Sequence, residues 1–304
     1  MAWDVRSKTI LVTGATSGIG LEASAELARL GARVVMVGRD SGRTEAAVTD
    51  VIARSGSREV SHLLCDFSSQ ASIRSFAADF LARYDRLHVL LNNAGGVNKT
   101  RRLSADGIEM TFAVNHLGYF LLTNLLCDLL VRSAPARVVS VASIGHRQGT
   151  LDFDDLGFER GGYWIMRAYG RSKLANVLFA AELARRLAEK GVTSNSVHPG
   201  SVATNIWSGA PQWAKPLIAV FFRPFFISPR QGAANVVRLV VDPELEGVTG
   251  KYFEERKLVA PAPLAQDEAL ARRLWEVSAG MVGLRRDGLL RLIMASKHTQ
   301  APLR

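Results

Sequence analysis

Cysteine is scarce in this chain: among 304 residues only Cys65 and Cys127 occur, each inside an apolar run. Two cysteines build no disulfide framework, and they fit a reducing, cytoplasmic setting. No grouping of His, Cys and carboxylates has metal-ligand spacing, so no metal is expected. Long blocks of like charge are missing too. Lys and Arg number 38 against 28 Asp and Glu, a net charge of +10, yet the basic residues are scattered pairs such as Arg101-Arg102 and Arg285-Arg286. Scattered pairs read as a solvated basic surface, so nucleic acid is not expected as a partner. Uninterrupted apolar runs of membrane-spanning length are also lacking. Residues 112–131 are broken by Asn115, His116, Asn124 and Asp128, and residues 213–228 by Lys215, Pro216, Arg223 and Pro224. The start, MAWDVRSKTILVTG, runs straight into a strand, so neither signal peptide nor membrane anchor is expected.

What is present is an alternation of strands and helices. Apolar β-branched runs at 10–12, 34–37, 60–64, 87–91, 137–141 and 192–197 are separated by helical patterns at 18–30, 41–55, 69–83, 106–131 and 167–189. A helix over 230–241 and a last strand over 250–253 follow. Strands buried on both faces, each followed by a helix, predict an α/β fold: a Rossmann-type, doubly wound parallel sheet. One domain is expected over 1–287, with 288–304 as a tail.

The first strand-to-helix turn reads Thr13-Gly14-Ala15-Thr16-Ser17-Gly18-Ile19-Gly20. Glycines there let the backbone approach a pyrophosphate, and the helix behind offers unpaired N–H groups. A lone glycine turn is weak evidence, but this one opens the first βα unit, the context a dinucleotide site requires. An acid ending the second strand would select NAD through the ribose 2′-hydroxyl. The chain instead has Gly38-Arg39, with Arg43 one turn on, which suits a 2′-phosphate and predicts NADP(H) over NAD(H). Asp40 is the dissenting carboxylate. Asp66, ending the third strand, either accepts from an adenine amine or caps the next helix. Asn93, Ala94 and Gly95 end the fourth strand, where they can lie along the cofactor.

Tyr169 and Lys173, four residues apart, share a helix face. A cation beside a phenol lowers the phenol's pKa, which would tune Tyr169 as a proton donor. Ser143 follows the fifth strand and could bond a substrate oxygen. Asn115 could hold a water that relays protons to Lys173. His198, in His198-Pro199-Gly200, is the rival general acid.

Together these residues resemble the short-chain dehydrogenase/reductase family, over about residues 7–285. The matching motifs are TGATSGIG (13–20), NNAG (92–95), Asn115, Ser143, YGRSK (169–173) and HPGSVAT (198–204). More narrowly, FAVNHLGYFLLT (112–123), LDFDDL (151–156), AYGRSKLANVLFAAELARRL (168–187), TGKYFEER (249–256) and RRLWEVS (272–278) are similar to the retinol dehydrogenase-like branch. The resemblance implies an NADP(H)-dependent oxidoreductase with Tyr169 as acid/base, Lys173 as cofactor anchor and pKa modifier, Ser143 as polariser and Asn115 as relay support. It implies cofactor contacts from Gly14, Thr16, Ser17, Gly18, Ile19, Gly20, Arg39, Asp66, Phe67, Asn93, Ala94, Gly95, Tyr169, Lys173, Pro199, Gly200, Val202 and Thr204.

The stretch 201–230 is rich in large apolar residues, Ile206, Trp207, Trp213, Phe221 and Phe225 among them, and is broken by Pro211, Pro216, Pro224 and Pro229. It follows the sixth strand and is read as a lid over a lipophilic alcohol, aldehyde or ketone. Packing on the domain, a homo-oligomer interface and peripheral membrane contact stay open for it. A non-catalytic dinucleotide sensor, or a reductase of steroids, polyketides or quinones, would share the same fold.

Overall fold

The computed structural model describes residues 3–201 and 227–284. The expected lid lies almost wholly outside these residues, with Val202 and Thr204, and so does the tail. Within them the chain forms one eight-stranded sheet in the order β3-β2-β1-β4-β5-β6-β7-β8. The strands are β1 (Thr9–Thr13), β2 (Arg33–Gly38), β3 (Val60–Leu64), β4 (Val89–Asn92), β5 (Ala136–Val141), β6 (Val192–His198), β7 (Tyr252–Glu254) and β8 (Lys257–Leu258). Every neighbouring pair is parallel except β7 with β8. Strand order reverses between β1 and β4, the switch point at which such sheets open a crevice at their carboxyl ends.

The sheet is buried on both sides, so its central strands read as apolar runs. All five residues of β1 and all six of β5 are buried. On one face lie α1 (Gly18–Arg29), α2 (Ser41–Ser55) and α8 (Pro229–Val241), contributing Leu27, Val51 and Val236 to one core. On the other lie α3 (Gln70–Arg83), α5 (Gly118–Leu125), α6 (Cys127–Arg132), α7 (Ile165–Arg186) and α9 (Glu268–Met281). Phe76, Phe120, Phe179 and Trp275 are among that core's side chains.

Local chemistry sets the helix starts. Asp40 accepts from the Arg43 amide, Ser69 from that of Ser72 and Asp267 from that of Leu270. Ser228 and Gln231 form a reciprocal capping box, with Pro229 at the first helical position.

Two expectations need correction. The single helix expected over 106–131 is four pieces: α4 (Met110–Phe112), a π turn over Ala113–Leu117, α5 and α6. The buried Glu109 carboxylate starts it by accepting the Thr111 and Phe112 amides, both at 2.8 Å. The Gly118 amide then bonds the Ala113 carbonyl, one residue further back than in an α-helix. Helix α9 and strand β8 were not anticipated at all. Yet Ala271, Leu274, Trp275 and Ser278, the buried face of α9, follow a helical spacing visible in the sequence.

Candidate active site

The glycine turn is built around close backbone approaches. Gly14 has φ +64°, and a Cβ there would stand 2.7 Å from the Ala94 Cα. A Cβ on Gly20 would stand 2.2 Å from the Gly14 carbonyl oxygen. Asn93 fixes this turn. Its Nδ2 donates to the Thr13 and Gly14 carbonyls at 2.9 and 3.1 Å, and the Thr13 hydroxyl accepts the Asn93 and Ala94 amides. Asn93, expected to lie along a cofactor, thus uses its side chain to brace the turn.

The turn's outer side fits a dinucleotide. Gly18, with φ +56°, has open space where a Cβ would be. The exposed Ser17 makes no cap bond, so its hydroxyl and the first amides of α1 are left for an anion. Thr16 lines the same turn, close against Gly38, and Ile19 is half-buried behind it. At the end of β2, Asp40 is spent. Its carboxylate caps α2, and the bond from the Arg43 amide, helped by the Arg43 guanidinium 3.5 Å away, holds it below the usual carboxylate range. Arg39 is exposed and has no ion pair among the described residues.

Asp66 takes a form between the two expected. It is exposed and its Oδ1 accepts the Ser68 amide and hydroxyl at 2.9 and 2.8 Å, but Ser69 is the cap of α3. The ring of Phe67 is buried against Gly118, leaving only its backbone to face a ligand. Pro199 is buried, its carbonyl accepting from Asn235 Nδ2 at 2.9 Å. Gly200, at φ +99°, turns the chain sharply after β6.

Ser143, Tyr169 and Lys173 converge at the carboxyl ends of β5 and β6. Ser143 begins the 3₁₀ turn Ile144–Gln148, its hydroxyl accepting the Gly145 amide at 3.1 Å. Tyr169 stands on the first turns of α7, surrounded by protein yet partly exposed by area, which leaves access for a substrate. Lys173 is buried, with 3% of its surface exposed. Its Nζ lies 5.6 Å from the Tyr169 ring centre and donates to the Val141 carbonyl at 2.9 Å.

The electrostatics differ from the sequence expectation. Burial raises the Tyr169 phenol above its ordinary pKa, and the Ser143 hydroxyl, not Lys173, offsets part of that rise. Burial also lowers Lys173 to about 8. His198 falls to about 4 by burial, so it is neutral near pH 7 and a poor general acid.

Asn115 sits in the π turn, fully buried. Its Oδ1 accepts the Gly96 amide at 2.8 Å, while Nδ2 donates to the Gly96 carbonyl and to Ser172 Oγ at 2.9 and 3.0 Å. A Cβ on Gly95 would lie 3.1 Å from Asn115 Oδ1 and 3.8 Å from Lys173 Nζ, so Gly95 leaves room beside both groups.

Sequence reading missed His146. Its Nε2 accepts the Ala262 amide at 3.0 Å, so Nδ1–H donates to the Ser143 carbonyl at 2.8 Å. A neutral histidine thus ties the Ser143 turn to the segment after β8. Its signal was a His three residues past the candidate serine.

A family model described as short chain dehydrogenase matches residues 8–215. The chain belongs to that family. This short-chain dehydrogenase is 43% identical over 284 residues to human retinol dehydrogenase 13, covering 92% of the chain and 86% of that relative. It is 44% identical to human retinol dehydrogenase 14, with 92% and 88% covered. Among solved structures it is similar to an uncharacterised protein from Mycobacterium paratuberculosis, with TM-score 0.76, 29% identity and 93% and 96% of the two chains covered. The dehydrogenase is therefore a retinol dehydrogenase-like oxidoreductase acting on CH–OH groups. Among the described residues no helix is long and apolar enough to cross a membrane, and no group of side chains could hold a metal ion.

Proposed function

We propose that the enzyme uses NADP(H) to interconvert a lipophilic alcohol and its aldehyde or ketone, with Tyr169 as general acid/base. The observation that carries this is the convergence of Ser143, Tyr169 and Lys173 beside the glycine turn. When bound, the nicotinamide would supply or accept the hydride. Tyr169, its phenol holding its proton near neutral pH, donates that proton to the oxygen of a carbonyl substrate. Ser143 Oγ bonds the same oxygen and orients it toward the phenol. Lys173, anchored on the Val141 carbonyl, would hold a ribose hydroxyl through its ammonium and return a proton toward Tyr169. Asn115 keeps the backbone at Gly96 in place beneath them and supports proton relay to Lys173.

Gly14, Thr16, Ser17, Gly18, Ile19 and Gly20 would hold the pyrophosphate side of the cofactor. Asp66 and the Phe67 backbone would meet the adenine. Asn93, Ala94, Gly95, Pro199, Gly200, Val202 and Thr204 would frame the nicotinamide half. Arg39 is the residue for a 2′-phosphate, and the engagement of Asp40 in capping supports that choice. The names of the retinol dehydrogenase relatives and the apolar composition of 201–230 support a lipophilic substrate. We read 1–287 as one domain with 201–230 as its lid. The two free, buried cysteines support a cytoplasmic setting.

The test is kcat/KM with NADPH along a homologous series of straight-chain aldehydes. It should climb steadily with chain length, at about 25 cal/mol per Å² of apolar surface buried. A flat series removes the lipophilic substrate from the reading.

A further inference from the structure

Asn176, two turns along α7 from Tyr169, is fully buried, and no part of the proposed mechanism uses it. Its Nδ2 donates to the Asn115 carbonyl at 2.9 Å and reaches the Val141 carbonyl at 3.4 Å. The Val141 carbonyl is the one that holds Lys173 Nζ. With Nδ2 committed to two carbonyls, Asn176 Oδ1 faces His116 Nδ1 at 3.4 Å. A carboxamide oxygen only accepts, so Nδ1 carries the proton and Nε2 accepts from the Ser278 hydroxyl at 2.9 Å. Burial among Phe112, Phe120 and Phe179 keeps this imidazole uncharged.

We propose that Asn176 and His116 are positioning residues: the chain Ser278–His116–Asn176 holds the Asn115 and Val141 carbonyls, and through them fixes the place and proton affinity of Lys173. Helix α9, which sequence reading overlooked, is then part of the catalytic apparatus. The inference rests on the reading of Lys173 as a working group of the site. Its physical basis is competition for one acceptor. A carbonyl that also accepts from Asn176 has less to offer an ammonium, so the chain helps Lys173 release its proton. Among the described residues, the titratable groups facing Lys173 are Tyr169 on its own helix and His198 on β6. Asn115, Val141 and Asn176 face it with neutral groups only.

The experiment compares Asn176→Leu, Ser278→Ala and Lys173→Ala with the unaltered enzyme. Melting temperature, NADPH affinity and the pH profile of kcat for carbonyl reduction are measured for each. Asn176→Leu should lower kcat roughly 10-fold with KM and NADPH affinity little changed. Its alkaline limb should move upward by about half a pH unit or more, because Lys173 keeps its proton longer. Ser278→Ala, at the far end of the chain and outside the site, should move the limb the same way by a smaller step. If Asn176→Leu fails to fold, Ser278→Ala decides the matter. A Ser278→Ala enzyme that melts lower with an unshifted limb makes the network structural and overturns the proposal. So does a folded Asn176→Leu enzyme with an unchanged profile. Lys173→Ala separates the two levels: if it retains most of its activity, the role of Lys173 itself is wrong.

Discussion

Gly149 and Gly170 meet backbone to backbone: a Cβ on Gly149 would stand 2.4 Å from the Gly170 carbonyl oxygen and 2.7 Å from the Leu174 Cβ. Gly170 follows Tyr169 directly, and Gly149 closes the 3₁₀ turn that Ser143 begins. The contact seats the serine turn on the tyrosine helix. Backbone atoms cannot rotate away as a side chain can, so Gly149→Ala must push the two apart. It should destabilise the fold by about 1–3 kcal/mol and lower kcat more than it raises KM. Thermal melting and steady-state kinetics check both. An alanine enzyme with normal kcat would show that the spacing is not what aligns Ser143 with Tyr169.

Tyr169→Phe keeps the ring and removes the proton. Turnover should fall by roughly 10²-fold or more, while NADPH binds nearly as before. Retention of most activity would move the acid/base role elsewhere.

Arg39→Ala should weaken NADPH roughly 10–150-fold, the equivalent of about 1.5–3 kcal/mol for a charge-assisted contact. NADH should be barely affected. Equal losses in the two dissociation constants would exclude a 2′-phosphate role. Asp40 does not confuse the result, since its carboxylate caps α2.

Lys173 makes a stability prediction with a definite sign. Its folded pKa, about 8, lies below a lysine's ordinary value of 10.5. Between these values the unfolded chain binds the proton and the folded chain does not, so stability rises with pH across that window. Below pH 8 both states are protonated, and the folded state bears the full cost of a buried ammonium. Lys173→Met should therefore be more stable than the unaltered enzyme at pH 7. Its advantage should shrink by roughly 2–3 kcal/mol between pH 8 and 10.5. Denaturant midpoints at pH 7, 8.5 and 10 would measure it. A difference independent of pH would mean that Lys173 titrates normally.

The glycine turn, the alternation of strands and helices and the Tyr169–Lys173 spacing were legible because each is written in adjacent residues. A buried strand is an apolar run, and a dinucleotide turn is a glycine pattern between a strand and a helix. What escaped is what the fold alone brings together. His146 meets Ala262 across 116 residues, and His116 meets Ser278 across 162. No local pattern announces such pairs. Asn93 was placed correctly at the end of β4, but its direction, toward Thr13 and Gly14, depends on the register of β1 against β4. The phenol's pKa failed for another reason. Proximity in sequence gave the cation, while burial, which sequence states poorly, gave the larger effect.

The π turn at Ala113–Leu117 has a consequence for how the chain can vary. One surplus residue in a helical turn rotates everything after it by about 100°. Here the surplus lets Asn115 reach Gly96 while its neighbour His116 reaches α9, and still brings Phe120 round to Trp275. Deleting a single residue from this segment would restore a regular helix and throw one side out of phase. A change of length at this place therefore breaks several of these contacts at once, where a substitution breaks only its own.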